Sequence, residues 1–107
     1  MRTHQEIDRR SLALARAVVE KIDNDPERRG LHKAKENCAR WVADNPSPAL
    51  DEWMTILSQD WSVVRAKLLD PGETGQRLRQ SNPFCGVLSA HERWAIYRQH
   101  NREPEAA

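Results

Sequence analysis

The placement of proline constrains this chain more than any other feature of its sequence. Five of the six prolines follow an Asp, Asn or Ser, in the pairs Asp25-Pro26, Asn45-Pro46, Ser47-Pro48, Asp70-Pro71 and Asn82-Pro83. Such side chains cap free amides in the first turn of a helix, and a proline at the next position has no amide to leave unpaired. The repeated pair therefore predicts a series of helices with tight connections.

Apolar residues between these pairs recur with a helical period, and no β alternation persists for five residues. The predicted helices run from Thr3 to Asp23 or Asn24, from just after Asp25 to Asn45, from Ser47 to about Leu57, and from near Asp60 to Asp70. The stretch 70–73 is expected to open a short fifth helix with Leu78 as its main apolar residue, and the last helix is expected to start at Ser89. The sequence predicts an all-α fold, a compact bundle of about six helices with a long N-terminal helical hairpin. Residues 1–100 are expected to form one domain, and 101–107 a frayed tail.

Two further patterns refine the helix starts. Thr3 with Glu6 and Ser89 with Glu92 have the spacing of a capping box, and the stretch 70–73 has a related pattern. The tryptophans Trp41, Trp53, Trp61 and Trp94 all fall on predicted apolar faces, so we expect them to pack in the core.

Charge and cysteine content limit the function classes. Seventeen basic against sixteen acidic residues give a formal charge of +1, less than a strong nucleic-acid binder usually carries. The five basic residues of 75–107 are nevertheless all arginines, against three acidic residues there. Cys38 and Cys85 predict two buried thiols in a reducing compartment. No apolar run approaches the roughly 20 residues that span a bilayer, and no signal peptide is recognisable, so the expected location is the cytoplasm.

Reactive chemistry is not marked in this sequence. The four histidines, His4, His32, His91 and His100, have no recognised metal-ligand spacing with Cys, Asp or Glu. There is no glycine-rich phosphate loop and no nucleophile motif. We therefore expect no catalytic residue, no metal and no cofactor. A Cys85 made reactive by Arg77 or Arg79 is the less favoured alternative to a packed thiol.

The segment LRQSNPFCGVL, residues 78–88, is the strongest candidate for a functional site. One interpretation is structural: Phe84, Val87 and Leu88 fold back into the core, and Gly86 permits a sharp bend. The other is an exposed recognition edge that binds a protein partner. Its residues would be Arg77, Arg79, Gln80, Ser81, Asn82 and Phe84. Arginine binds carboxylates through two hydrogen bonds at once, and a phenylalanine adds an apolar anchor.

A nucleic-acid-binding surface is the alternative to a protein-binding edge. Phosphates would contact the arginines of the C-terminal third, which are Arg77, Arg79, Arg93, Arg98 and Arg102. A helix-turn-helix formed by the third and fourth helices is disfavoured, because the fourth offers only Arg65 and Lys67 as outward basic residues.

Residues 78–98 resemble a segment of small bacterial proteins that reads Leu-Arg-Gln-Ser-x-Pro-Phe-x-Gly-Val-Leu, followed by Ser or Thr and then Glu-Arg-Trp. The shared residues are Leu78, Arg79, Gln80, Ser81, Pro83, Phe84, Gly86 and Arg93, whereas Asn82 and Cys85 occupy variable positions. Some proteins of this kind lie beside toxin-like genes, as antitoxins do. The resemblance implies an antitoxin-type or regulatory subunit that occludes a toxin or enzyme, with the product of an adjacent gene as its partner.

Overall fold

The computed structural model describes the backbone of residues 4–102 and the side chains of residues 8–99. Its helices are α1 (His4–Asp23), α2 (Arg29–Asp44), α3 (Pro48–Leu57), α4 (Trp61–Leu68), α5 (Glu73–Arg79) and α6 (Ala90–Arg102). There is no strand in this part of the chain. The prediction of a six-helix, all-α bundle is confirmed.

Serine caps begin two of the helices as predicted. At α3, the Ser47 hydroxyl accepts a hydrogen bond from the Leu50 amide at 3.2 Å, and Pro48 occupies the first helical position. At α6, the Glu92 amide donates to the Ser89 hydroxyl at 3.1 Å and the Ser89 amide donates to the Glu92 carboxylate at 2.8 Å. This reciprocal pair is a capping box, which fixes where α6 leaves the preceding loop. The capping box predicted at Thr3 lies outside the described residues.

The predicted start of the second helix is wrong by several residues. The Asp25 carboxylate accepts hydrogen bonds from the amides of Glu27 and Arg29, so it closes a turn ahead of the helix. Arg28 then adopts a left-handed backbone conformation with φ of 49°, and α2 begins only at Arg29. Two other predicted helix starts are also turns, because Asp70 accepts from the Gly72 amide ahead of α5 and Asn82-Pro83 begins no helix.

Helix α1 is the centre of the bundle and packs against α2, α4, α5 and α6. Its apolar face meets a core of fully buried side chains. That core comprises Ala15, Val18, Val19, Ile22, Leu31, Ala34, Cys38, Trp53, Ile56, Leu57, Val64, Leu68, Leu78, Phe84, Val87 and Leu88. The end of the 78–88 segment is therefore part of the core, as the structural interpretation predicts.

Helix α6 is the least embedded element, because α1 is its principal packing partner. Trp94 on α6 is 59% exposed, so the prediction that it packs in the core is wrong. Trp53 is completely buried, whereas Trp41 and Trp61 are partly buried. The helix continues to Arg102, so positions 101 and 102 of the predicted frayed tail are helical, and residues 103–107 lie outside the description.

Candidate partner-binding site

Arg79 is buried inside the bundle, so the prediction that it belongs to an exposed recognition edge is wrong. Its side chain has no solvent exposure. One guanidinium nitrogen donates to the backbone carbonyls of Leu68 at 3.0 Å and Asp70 at 2.6 Å, and the other donates to the Asp8 carboxylate at 2.8 Å. Arg79 thus ties the C-terminal end of α4 to α1. A partner cannot reach this guanidinium, because its donors point into the protein.

Phe84 is also buried, because the turn that precedes it directs its ring into the core. The Asn82 amide group donates to the Arg79 carbonyl at 3.0 Å, and its side-chain oxygen accepts from the Phe84 amide at 3.0 Å. This local turn points the Phe84 ring inward, where it meets the Trp53 ring edge-to-face at 5.9 Å between centroids. The Trp53 indole in turn donates to the Leu78 carbonyl at 2.9 Å. Asn82 and Phe84 therefore form a folding motif rather than an exposed contact.

Asn37 of α2 holds the rest of the loop in place. Its buried amide group donates to the carbonyls of Pro83 at 2.9 Å and Cys85 at 3.0 Å. Both carbonyls belong to a segment outside any helix, so this side chain satisfies groups that the backbone leaves unpaired. Gly86 follows with φ of 84°, a conformation that favours glycine, and confirms the predicted bend.

The remaining residues of the predicted edge are at least partly exposed, and one of them is engaged in an ion pair. Arg77 is half-exposed and makes a two-pronged ion pair with Glu52 of α3, with nitrogen–oxygen distances of 2.6 and 3.1 Å. Each partner shifts the other, since the hydrogen bond from Arg77 lowers the pKa of Glu52 and that carboxylate raises the pKa of Arg77. Gln80 is exposed and Ser81 is half-buried.

The four arginines of the alternative nucleic-acid surface whose side chains the structure describes do not form one accessible cationic surface. Arg79 is buried and Arg77 is paired on α5, whereas Arg93 and Arg98 lie on α6. The side chain of Arg102 lies outside the description. Among the predicted arginines whose side chains are described, only Arg93 and Arg98 make no ion pair with another described residue, and both lie on α6.

A cleft of about 380 Å³ opens between α1, the 82–88 loop and α6. Its lining is mostly apolar side chains that continue the core to the surface. These residues are Leu14, Ala15, Val18, Leu68, Phe84 and Leu88. Volumes of this size are at the lower end of the range for binding pockets, which also combine an apolar lining with a few polar groups. This cleft was not among the sites predicted from the sequence.

The rim of the cleft is polar and basic. Arg10 of α1 and Arg93 of α6 both line it, and Arg79 contributes to its inner wall. The Arg10 guanidinium lies 5.0 Å from the centroid of the Tyr97 ring, which is within range of a cation–π contact. Tyr97 lines the cleft as well and meets the exposed Trp94 edge-to-face at 6.5 Å. No carboxylate is among the described side chains that line the cleft.

The two thiols have opposite environments, so the prediction that both are buried is only half right. Cys38 is completely buried, and burial raises its pKa. Cys85 is exposed and lines the cleft on the loop that Asn37 holds. This difference was not predictable from the sequence, because Cys85 lies within an apolar run and its exposure depends on the turn around it.

A sequence signal for part of the cleft did exist. Arg93 and Tyr97 are four residues apart on the predicted last helix, so they share a face. Arg10 and Leu14 have the same spacing on the first helix. Nothing in the sequence shows that these two faces meet, because the two helices lie at opposite ends of the chain.

No group of three or more His, Cys, Asp or Glu side chains converges as a metal site within the described residues. None of the described helices combines the length and the apolar character that crossing a membrane requires. Comparison of the chain with protein-family models, with curated proteins and with solved structures finds no match.

Proposed function

We propose that this chain is a small helical protein that binds a protein partner through the cleft between α1, the 82–88 loop and α6. The observation that carries this proposal is the combination of an apolar cleft with arginine and aromatic side chains at its rim. Protein-binding energy is concentrated in a few residues that are enriched in Trp, Tyr and Arg. Trp94, Tyr97, Arg93 and Arg10 supply these types beside one cleft.

The antitoxin-type or regulatory role follows from the resemblance of residues 78–98 and belongs to the same proposal. Occlusion of a toxin or enzyme requires only a stable surface and no reaction by this chain. Leu78, Arg79, Pro83, Phe84 and Gly86 of the shared pattern would then serve to hold the loop that forms one wall of the cleft. A cytoplasmic location also fits, since both cysteines are free.

Nucleic-acid binding is the weaker alternative. Its predicted arginines are spread over a buried site, an ion pair and α6. A phosphate-binding surface requires several accessible cations, and its affinity falls steeply with salt. The apolar floor of the cleft contributes nothing to binding of that kind.

The test begins with co-expression and co-purification of this chain with the product of the adjacent gene. Affinity is then measured for the variants Arg93→Ala and Trp94→Ala, with Gln80→Ala as the control on the predicted edge. We expect the first two to weaken the complex at least tenfold and the control to leave it unchanged. Equal affinities for all three variants, with circular dichroism unchanged, would exclude the cleft as the contact.

Cys85 provides an independent measure of contact. A maleimide should react with Cys85 in the isolated chain and much more slowly in the complex, because Cys85 lines the cleft. Cys38 is the internal control, since it is buried in either state. Unchanged Cys85 labelling in a stable complex would place the partner elsewhere.

A further inference from the structure

We infer that the cleft receives an acidic, amphipathic segment of the partner, with apolar side chains on its floor and carboxylates against Arg10 and Arg93. This inference rests on the proposed function and adds the chemistry of the bound segment. Three observations lead to it: the apolar floor, the sign of the charge at the rim, and the position of the aromatic side chains.

The floor excludes a purely polar occupant. Leu14, Val18, Phe84 and Leu88 present carbon atoms to the cleft, and a polar group placed against them would lose its hydrogen bonds to water without replacement. An amphipathic helix fills such grooves with apolar residues at positions i, i+3, i+4 and i+7. The apolar face of the bound segment would thus continue the core outward from α1.

The rim selects a negative charge beside that apolar face. Neither Arg10 nor Arg93 makes an ion pair within the described part of the chain. Two carboxylates close to these arginines in the sequence are engaged elsewhere: Asp8 binds Arg79 at 2.8 Å, and Glu92 binds Lys21 at 2.7 Å. Arginine forms paired hydrogen bonds with carboxylates, so an acidic residue at either flank would find a ready donor.

The aromatic side chains extend the contact beyond the cleft itself. Trp94 is 59% exposed and meets Tyr97 edge-to-face, and Tyr97 is also in contact with the Arg10 guanidinium. A segment lying in the cleft could therefore cover Trp94 as well. Burial of this large side chain would add apolar contact area to the interface.

The test uses three labelled probes and fluorescence anisotropy with the full chain. The first is a synthetic helical peptide with leucines at i, i+3, i+4 and i+7 and glutamates on both flanks. The second has lysines in place of the glutamates, and the third is a single-stranded oligonucleotide. We expect the acidic peptide to bind at least tenfold more tightly than the lysine peptide, and the oligonucleotide not to compete with it.

Charge-reversal variants locate the contact. Arg93→Glu and Arg10→Glu should each weaken binding of the acidic peptide about tenfold, which corresponds to about 1.4 kcal/mol. Arg16→Glu is the matched control, since it makes the same charge change on an exposed position of α1 that does not line the cleft. Circular dichroism of each variant verifies folding.

The inference is overturned if the acidic peptide does not bind, if the lysine peptide binds equally tightly, or if Arg16→Glu and Arg93→Glu cause equal losses of affinity. Displacement of the peptide by the oligonucleotide would overturn it in favour of phosphate recognition. Each of these results leaves the co-purified complex and its Cys85 protection as a separate test of the proposed function. Failure of that complex with successful peptide binding would instead reject the adjacent gene product as the partner.

Discussion

Replacing Arg79 with alanine should destabilise the protein much more than the same replacement of an exposed arginine on α5. The substitution leaves the carbonyls of Leu68 and Asp70 without their donor and removes the partner of Asp8. Removing one member of a buried ion pair typically costs about 3–5 kcal/mol. The Asp8 side chain is 23% exposed and can regain water, so we expect the lower end, about 3 kcal/mol.

A loss of that size is a large part of the stability of a small domain, which is about 5–15 kcal/mol in total. For a domain of this length it corresponds to a fall in Tm of more than about 10 °C. Urea unfolding followed by tryptophan fluorescence measures the loss directly, because the buried Trp53 ring packs against Phe84 in the same region. Arg79→Lys should be intermediate, since lysine retains the charge but lacks the planar set of donors.

Arg77→Ala is the matched control for this experiment. Arg77 lies two positions away on α5, but its ion pair with Glu52 is exposed to water. Exposed ion pairs contribute little, so its urea midpoint should stay near that of the wild type. If Arg79→Ala and Arg77→Ala unfold at the same urea concentration, Arg79 is not the buried tie between α4 and α1. Loss of partner binding by a fully stable Arg79→Ala protein would likewise restore the predicted recognition edge.

Two further predictions concern local contacts. Gly75→Ala should lower the urea midpoint strongly, because an added Cβ would clash with the backbone carbonyl oxygen of Asp70. Gly72→Ala, whose nearest contact would be a side-chain atom at 3.2 Å, is the milder control, and equal midpoints for the two variants would contradict this packing. Hydrogen bonds from Lys21 and the Ser89 amide lower the pKa of Glu92 to about 2, below its value in the unfolded chain. Its stabilising effect is therefore complete above about pH 4.5 and is lost as the pH falls toward about 2. Glu92→Gln should reduce the urea midpoint at neutral pH and match the wild type near pH 2; a constant difference across that range would refute the pairing.

Most of the secondary structure could be predicted from the sequence. The caps Ser47 and Ser89 act locally, because each hydroxyl accepts a hydrogen bond from the amide three residues ahead, so their spacing was sufficient to predict where α3 and α6 begin. Asp25 shows the limit of such rules. The same carboxylate can cap a helix or close a turn. Asp25 closes a turn here, because Arg28 adopts a left-handed backbone conformation that keeps residues 26–28 out of the helix.

Which residues are available to a partner depends on the tertiary structure. From sequence alone an arginine is expected to be exposed, but Arg79 is buried because the end of α4 and the Asp8 carboxylate, 71 residues away in the chain, accept hydrogen bonds from its two terminal nitrogens, while its Nε has no partner among the described residues. The sequence pattern predicts Trp94 as a core residue, but it is exposed because α6 packs mainly against α1. The cleft likewise requires Arg10 and Arg93 from the two ends of the chain. Capping depends on neighbours in sequence, whereas burial and charge pairing depend on neighbours in space, which the sequence does not place.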